Sequence, residues 1–170
     1  MLLVKEEIKK LIEEKKIVED FINLDIQLTP NGFDLTVEKI FKFTSPGAID
    51  FSNKERVIAE VEKILPQKRR GEKFGWWSLA QGAYKIRTNE SLNLPSNLVA
   101  LGFPRTSLLR NGVFIQNGVW DAGFSGRSEF ILVVENPLGV KIKENARLVQ
   151  IVFLKIKNTQ KYQGIYKNLK

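Results

Sequence analysis

The feature that most constrains this chain is its rhythm of short alternating or apolar runs, closely cut by turn signals. From Phe33 to Phe43 apolar and polar residues alternate until Ser45-Pro46-Gly47 breaks the run. Period-two alternation marks a strand with one buried face. Leu24 to Leu28 alternates too and ends at the loop Thr29-Pro30-Asn31-Gly32. Further strands are expected at Trp76 to Leu79, Ala83 to Arg87, Leu98 to Phe103, Val113 to Gln116, Phe130 to Val134 and Arg147 to Ile156. Val113 to Gln116 should face Val119-Trp120 across Asn117-Gly118, a pair that favours a tight hairpin. Strands this short and frequent make the expected fold mainly β, an all-β barrel or jelly roll. One helix precedes it. Val4, Ile8, Leu11 and Ile12 fall at helical spacing within Leu3 to Lys16, and the chain leaves the helix at Ile17 to Phe21. Ile64 to Lys73, with Pro66, Gly71 and four basic residues, reads as a surface loop rather than a domain boundary. The expectation is one domain over residues 1–170, with an N-terminal helical segment at 1–20 and a tail at 159–170.

Composition narrows the chemistry. No cysteine among the 170 residues removes disulfides, thiolate metal sites and cysteine nucleophiles. No histidine removes the commonest general base, so proton transfer falls to Asp, Glu, Lys or Tyr. A metal would meet oxygen ligands, which suits Mg²⁺ or Ca²⁺. No apolar run reaches the length of a signal peptide or membrane span, so a cytoplasmic protein with no membrane partner is expected. The net charge of +8 fits either nonspecific nucleic-acid binding or a polyanionic small molecule. The basic residues gather at Lys68-Arg69-Arg70 with Lys73, and again from Lys155 to Lys170, and a solvated surface accounts for each.

Four clusters carry candidate chemistry. Pro104-Arg105-Thr106-Ser107-Leu108-Leu109-Arg110 puts two guanidiniums and two hydroxyls after an apolar strand, a donor set for phosphate oxygens or an ordinary polar turn. Asn117 to Gly126 holds three glycines, Asp121, Trp120 and Phe124; it could bring backbone close to a ligand and a carboxylate to a water, or be a bulged hairpin with core aromatics. In Asn145 to Phe153, Arg147 and Gln150 interrupt an apolar strand at a spacing that cannot share one face of a regular strand. Lys161 to Lys167, with Tyr162 and Tyr166 around Gly164, is either a loose terminus or a lid.

Taken together, in order and spacing, these clusters resemble the superfamily of trimeric dUTPases and dCTP deaminases. Pro104 to Leu108 looks like its phosphate motif, Gly118 to Asp121 with Phe124 and Gly126 like its nucleoside hairpin, and Ala146 to Gln150 like the motif after it. Asn31 to Leu35 is similar to its first motif, and Gly47 to Asn53 to archaeal dUTPase-like members. The resemblance implies a dUTPase-like barrel that hydrolyses dUTP to dUMP and pyrophosphate. Arg105, Thr106, Ser107 and Arg110 would hold the triphosphate. Asn117, Gly118 and Val119 would read the pyrimidine. Asp121 would activate water, Phe124 would pack on the deoxyribose, and Gln150 would touch the α-phosphate. Tyr162, Tyr166 and Lys167 would close over the nucleotide. Mg²⁺ would be held through phosphates and water, with no direct protein ligand, and the active sites would be shared within a homotrimer.

The deaminase branch needs a glutamate on the strand after the hairpin. Counted from either end, that place falls on Ile131 or Val133, neither of which moves protons. Glu129 shares their face in a regular strand and would come into play through a bulge. A dCTP deaminase, or an enzyme performing both steps, is therefore the alternative on the same fold. A nonenzymatic nucleotide- or nucleic-acid-binding protein is the alternative of another class. The retained Asp121 speaks against it, and no specific nucleic-acid partner is expected. The role of Asp34 stays open.

Overall fold

A computed structural model describes residues 1–167; residues 168–170, the last three of the expected tail and Lys170 of its basic run, lie outside the described residues. In chain order the elements are helix α1 (Lys5–Lys15), β1 (Val18–Glu19), α2 (Leu24–Gln27), β2 (Leu28–Thr29), β3 (Gly32–Phe43), β4 (Val61–Ile64) and β5 (Trp76–Leu79). Then come β6 (Gly82–Asn93), β7 (Leu98–Pro104), α3 (Thr106–Leu109), β8 (Val113–Gln116), β9 (Ser125–Val134), β10 (Val140–Lys143) and β11 (Arg147–Lys155).

The main sheet runs β7-β11-β3-β6-β9-β8, with β1 on β6 and β2 and β4 on β3. Its ends nearly meet: the loop after β8 reaches β7, where Trp120 and Ala100 exchange backbone hydrogen bonds of 3.0 and 3.1 Å. This is the mainly β, barrel-like architecture expected. The core is filled from the inward positions of β6, β9 and β11, including Ile86, Leu92, Leu132, Ile151 and Phe153. Alternation along β6 and β9 is strict, as a one-sided sheet requires.

Helix α1 buries Ile8 and Ile12. Lys16 ends it in the left-handed region at φ 53°, its N–H bonded to the Ile12 carbonyl. Glu7 ties the helix to the barrel through Lys155 Nζ at 2.6 Å.

Two expectations are corrected. The alternating run at Leu24 is not a strand but the one-turn helix α2. Asn23 Oδ1 caps it by accepting from Ile26 N–H at 3.0 Å, and Gln27 Oε1 accepts from Ile22 and Asn23 N–H. Gln27 is buried because its amide donates to Asp34 O and to Glu90 Oε1. The second correction concerns the hairpin. Val113–Gln116 pairs with Val134–Ile131 of β9, not with Val119-Trp120. The turn therefore becomes a loop from Asn117 to Phe124, with Trp120 drawn away to β7.

Glu90 lies wholly buried in the bulged part of β6. Thr36 N–H and Oγ1 and Gln27 Nε2 all donate to its carboxylate. Burial raises its pKa, and these bonds oppose the rise.

Candidate functional site

The loop 117–124 forms one wall of a cleft of about 270 Å³. Trp120 anchors it. Its ring is buried, and Nε1 donates to Ser128 Oγ at 2.8 Å. Gly102 of β7 makes room for that ring; a Cβ there would lie 2.7 Å from Trp120 Cζ3 and 3.1 Å from Asn117 Nδ2. Asn117 Nδ2 donates to Gly118 O at 2.9 Å, holding the loop's entry. Gly118 and the exposed Val119 then line the cleft.

At the loop's exit Phe124 N–H donates to Asp121 O at 3.0 Å, closing a turn that Gly123 makes at φ 81°. The tail passes directly over this turn. A Cβ on Gly123 would lie 2.6 Å from Lys161 Cβ, and Tyr162 N–H donates to Ala122 O at 2.8 Å. Tyr162 thereby sets its ring 5.9 Å from that of Phe124, centre to centre. Both rings line the cleft, with Tyr166 beyond them. The floor comes from the outward face of β9, where Arg127 and Glu129 alternate with the core residues. Arg127 pairs with Asp20 at 3.0 Å and Glu129 with Lys85 at 3.1 Å.

A second group gathers where β3, β7 and β11 meet. Asp34 is buried, with Oδ2 2.9 Å from Arg105 Nε and 3.2 Å from Arg147 Nη1. Burial raises the Asp34 pKa, and the two guanidiniums pull it back. Arg147 also donates to Ile26 O at 2.7 Å. Arg105 N–H reaches Leu148 O, so the chain turns off β7 at a fixed point. Thr106 and Ser107 follow, both exposed, then Arg110, also exposed. Gln150 stands opposite Asp34 and donates to Thr29 Oγ1 at 2.7 Å. Gly32 lets β3 approach here: a Cβ would strike the Ile151 carbonyl.

The spacing puzzle of Arg147 and Gln150 resolves in this geometry. The register shifts between Arg147 and Val149, so Leu148 and Val149 are both buried. That bulge brings Arg147 and Gln150 onto the face that carries Asp34.

The structure thus sorts the expected residues into two sets. The cleft unites Gly118, Val119, Phe124, Tyr162, Tyr166 and Glu129. Arg105, Thr106, Ser107, Arg110 and Gln150 line none of it. Asp121 is exposed on the loop's rim and is not among the lining residues. Lys167 lines an adjoining hollow with Phe124, Lys161 and Lys15. Glu129 lines the cleft from a strand whose burial alternates regularly. Sequence reasoning passed over Arg127, although its spacing from Glu129 puts both on one strand face. It also left Asp34 open, and only the bulge in β11 reveals that Asp34 holds two arginines. Among the described residues no cluster of His, Cys, Asp or Glu could cage a metal, and no helix is long and apolar enough to cross a membrane.

The protein is thus a barrel-like β sheet with an aromatic cleft and, apart from it, two arginines held by a buried aspartate. The chain belongs to the dCTP deaminase-like family, whose model matches residues 2–156. It is 36% identical over 163 residues to a probable deoxyuridine 5'-triphosphate nucleotidohydrolase of Archaeoglobus fulgidus, covering 95% of this chain and 93% of that protein. It is 40% identical to the probable enzyme of the same name from Methanosarcina mazei, over 98% of this chain and 96% of that one. A deoxyuridine 5'-triphosphate nucleotidohydrolase of Methanocaldococcus jannaschii is 37% identical over 83% of this chain and 87% of its own length. In fold, the chain is similar to the crystal structure of 2'-deoxycytidine 5'-triphosphate deaminase from Agrobacterium tumefaciens, with a TM-score of 0.62 and 18% identity. That likeness covers 89% of this chain but 47% of the deaminase's.

Proposed function

We propose that this protein is a dUTP diphosphatase that converts dUTP and water to dUMP and pyrophosphate. The observation that carries the reading is the cleft between Gly118-Val119 and the paired rings of Phe124 and Tyr162. An exposed peptide edge can pair with a pyrimidine's own amide edge. The ring of Phe124 offers an apolar surface to a sugar that lacks a 2′-hydroxyl. The relatives named as deoxyuridine triphosphate nucleotidohydrolases match nearly the whole chain, which supports the same substrate here.

In the reaction, Asp121 takes a proton from water. The water oxygen forms a bond to the α-phosphorus as the bond to the α,β-bridging oxygen breaks, and pyrophosphate leaves. Arg105, Thr106, Ser107 and Arg110 bind the β- and γ-phosphates, and Gln150 the α-phosphate. Arg105 supplies directed donors only if its guanidinium is held, and Asp34 holds it. Tyr162, Tyr166 and Lys167 cover the nucleotide and exclude water.

The donor set fits a Mg²⁺ ion carried in by the triphosphate, since Asp34 is engaged by two arginines and no carboxylate cage exists among the described residues. Such an ion would neutralise charge on the phosphates. The proposed assembly is a homotrimer. Within one chain the cleft and the phosphate-binding group are separate, and a cleft of about 270 Å³ is small for a whole nucleotide. A neighbouring chain's arginine group would complete each cleft. A cytoplasmic location accords with a nucleotide substrate.

One observation favours a second reading. Glu129 lies in the cleft and could serve as the proton shuttle of a dCTP deaminase. Incubating the protein with dUTP or dCTP and Mg²⁺, and identifying products, separates the two. Formation of dUMP and pyrophosphate supports the first reading; ammonia from dCTP supports the second; neither product refutes both.

A further inference from the structure

The basic loop at Lys68 does not take part in the proposed reaction, yet it borders a groove of about 500 Å³, larger than the cleft. Strands β5 and β10 form a separate two-stranded ribbon. Its inner face buries Trp77, Leu79 and Ile142. Its outer face presents Trp76 opposite Lys143 and Ser78 opposite Lys141. Gln67 bonds to Trp76 through both backbone groups at 2.9 Å, so the loop lies along β5 and adds Lys68 and Arg69 to the groove. Gly75 permits this approach, since a Cβ would lie 2.8 Å from Lys68 Cγ.

Two features of the groove point to one class of ligand. Trp76 is 39% exposed, and Lys143 Nζ stands over its ring, 5.3 Å from the centre, so a partly exposed indole and a cation lie together. Lys68, Arg69, Lys141 and Lys143 outnumber the two acids present, Glu72 in the groove and Glu144, which pairs with Lys68 at 3.5 Å. A bare polyphosphate would use the cations but not the indole. A nucleotide uses both: its base stacks, and its phosphates meet lysine and arginine.

We propose that this groove is a second nucleotide-binding site, separate from the catalytic cleft. It takes a nucleotide either free or as one unit of a single strand. The groove's volume suits a single nucleotide.

The test uses the full-length protein and two probes: ADP by calorimetry, and a fluorescein-labelled oligothymidylate by anisotropy. At least one probe should bind, with affinity falling as salt rises. Trp76→Ala should weaken that binding about ten-fold or more, and Trp76→Phe should restore most of it. Lys141→Ala should weaken it and flatten the salt dependence. All three variants should hydrolyse dUTP like the parent. Binding of ADP makes the site one for free nucleotides; binding of the oligomer alone makes it a strand site. Absence of binding by both probes, or full binding by Trp76→Ala, overturns the proposal.

Discussion

Asp34 Oδ2 lies 2.9 Å from Arg105 Nε, inside the barrel wall, and this contact aims the first side chain of the proposed phosphate site. The same oxygen holds Arg147. Asp34→Asn keeps the shape but loses the charge, leaving two guanidiniums facing one another. The expected result is a KM for dUTP raised about ten-fold, since Arg105 loses the charge that aims it. Stability should also respond to pH. The folded pKa of Asp34 is raised above its ordinary 3.8, so the native state binds the proton more tightly than the unfolded chain. That contribution is fully present below the ordinary value and fades as pH rises through the folded value. Asp34→Asn should remove it, which urea titrations at several pH values will read. An unchanged KM would separate Asp34 from phosphate binding.

Asp121→Asn should lower turnover of dUTP by about 10²–10⁴ while leaving its binding nearly intact. Asparagine matches the carboxylate in shape but cannot accept the water's proton. Asp121 is exposed, and its carbonyl rather than its carboxylate closes the turn to Phe124, so the variant should melt like the parent. Calorimetry with dUTP and release of pyrophosphate measure the two effects separately. Near-normal turnover would remove Asp121 as the base.

Phe124 has two duties, since it is 8% exposed yet lines the cleft. Truncation to alanine would confound them, costing about 3–5 kcal/mol through the cavity left. Phe124→Leu retains most of the core contact but lacks the flat ring. We expect it to fold and to lose discrimination against UTP by roughly ten-fold or more. The ratio of kcat/KM for dUTP and UTP is the readout. If that ratio does not move, the ring serves packing alone.

Truncation after Asn158 should abolish most turnover, because it removes the cleft wall made by Tyr162 and Tyr166. The sequence suggested a tail with few anchors. The structure ties it down through Thr159 N–H to Ser96 O, Tyr162 N–H to Ala122 O, and the tyrosine ring against Phe124. A modest fall in melting temperature should therefore accompany the loss. A shortened protein with full activity would make the tail a surface extension only.

How far the sequence reveals this arrangement depends on whether the deciding interaction is local. Alternation in β6, β9 and β11 follows from one-sided burial, and it can be read from the residues alone. At Leu24–Leu28 alternation misleads, because the outcome rests on Asn23 capping and on Gln27 meeting Glu90, which is 63 residues away. Asn117-Gly118 carries a strong signal for a tight turn, but Trp120 gains more by packing on Gly102 and bridging Ala100. Arg147 and Gln150 look mismatched until the bulge between them is seen. The candidate residues themselves were legible, since glycines, arginines and a lone carboxylate stand out. Their division between a cleft and a separate arginine group was not, because it depends on pairings across the barrel.

The choice between hydrolysis and deamination turns on Glu129. Deamination at C4 of cytosine needs a group that shuttles protons between water, N3 and the leaving ammonia. Ile131 and Val133 occupy the two simplest positions for it and are inert. Glu129 lies on their face and within the cleft, so location does not disqualify it. Its partner argues against it. Lys85 Nζ, 3.1 Å away, holds the carboxylate toward β6, whereas a shuttle must turn between water and the base. We therefore expect dUTP to be hydrolysed and dCTP to release no ammonia at a comparable rate. Glu129→Gln should leave dUTP turnover within about three-fold of the parent, since a half-exposed ion pair contributes about 1 kcal/mol or less. Ammonia assays on dCTP with the parent and with Glu129→Gln decide the matter. Release by the parent that vanishes in the variant would make Glu129 a catalytic residue and the protein a deaminase, or a bifunctional enzyme if dUMP also accumulates.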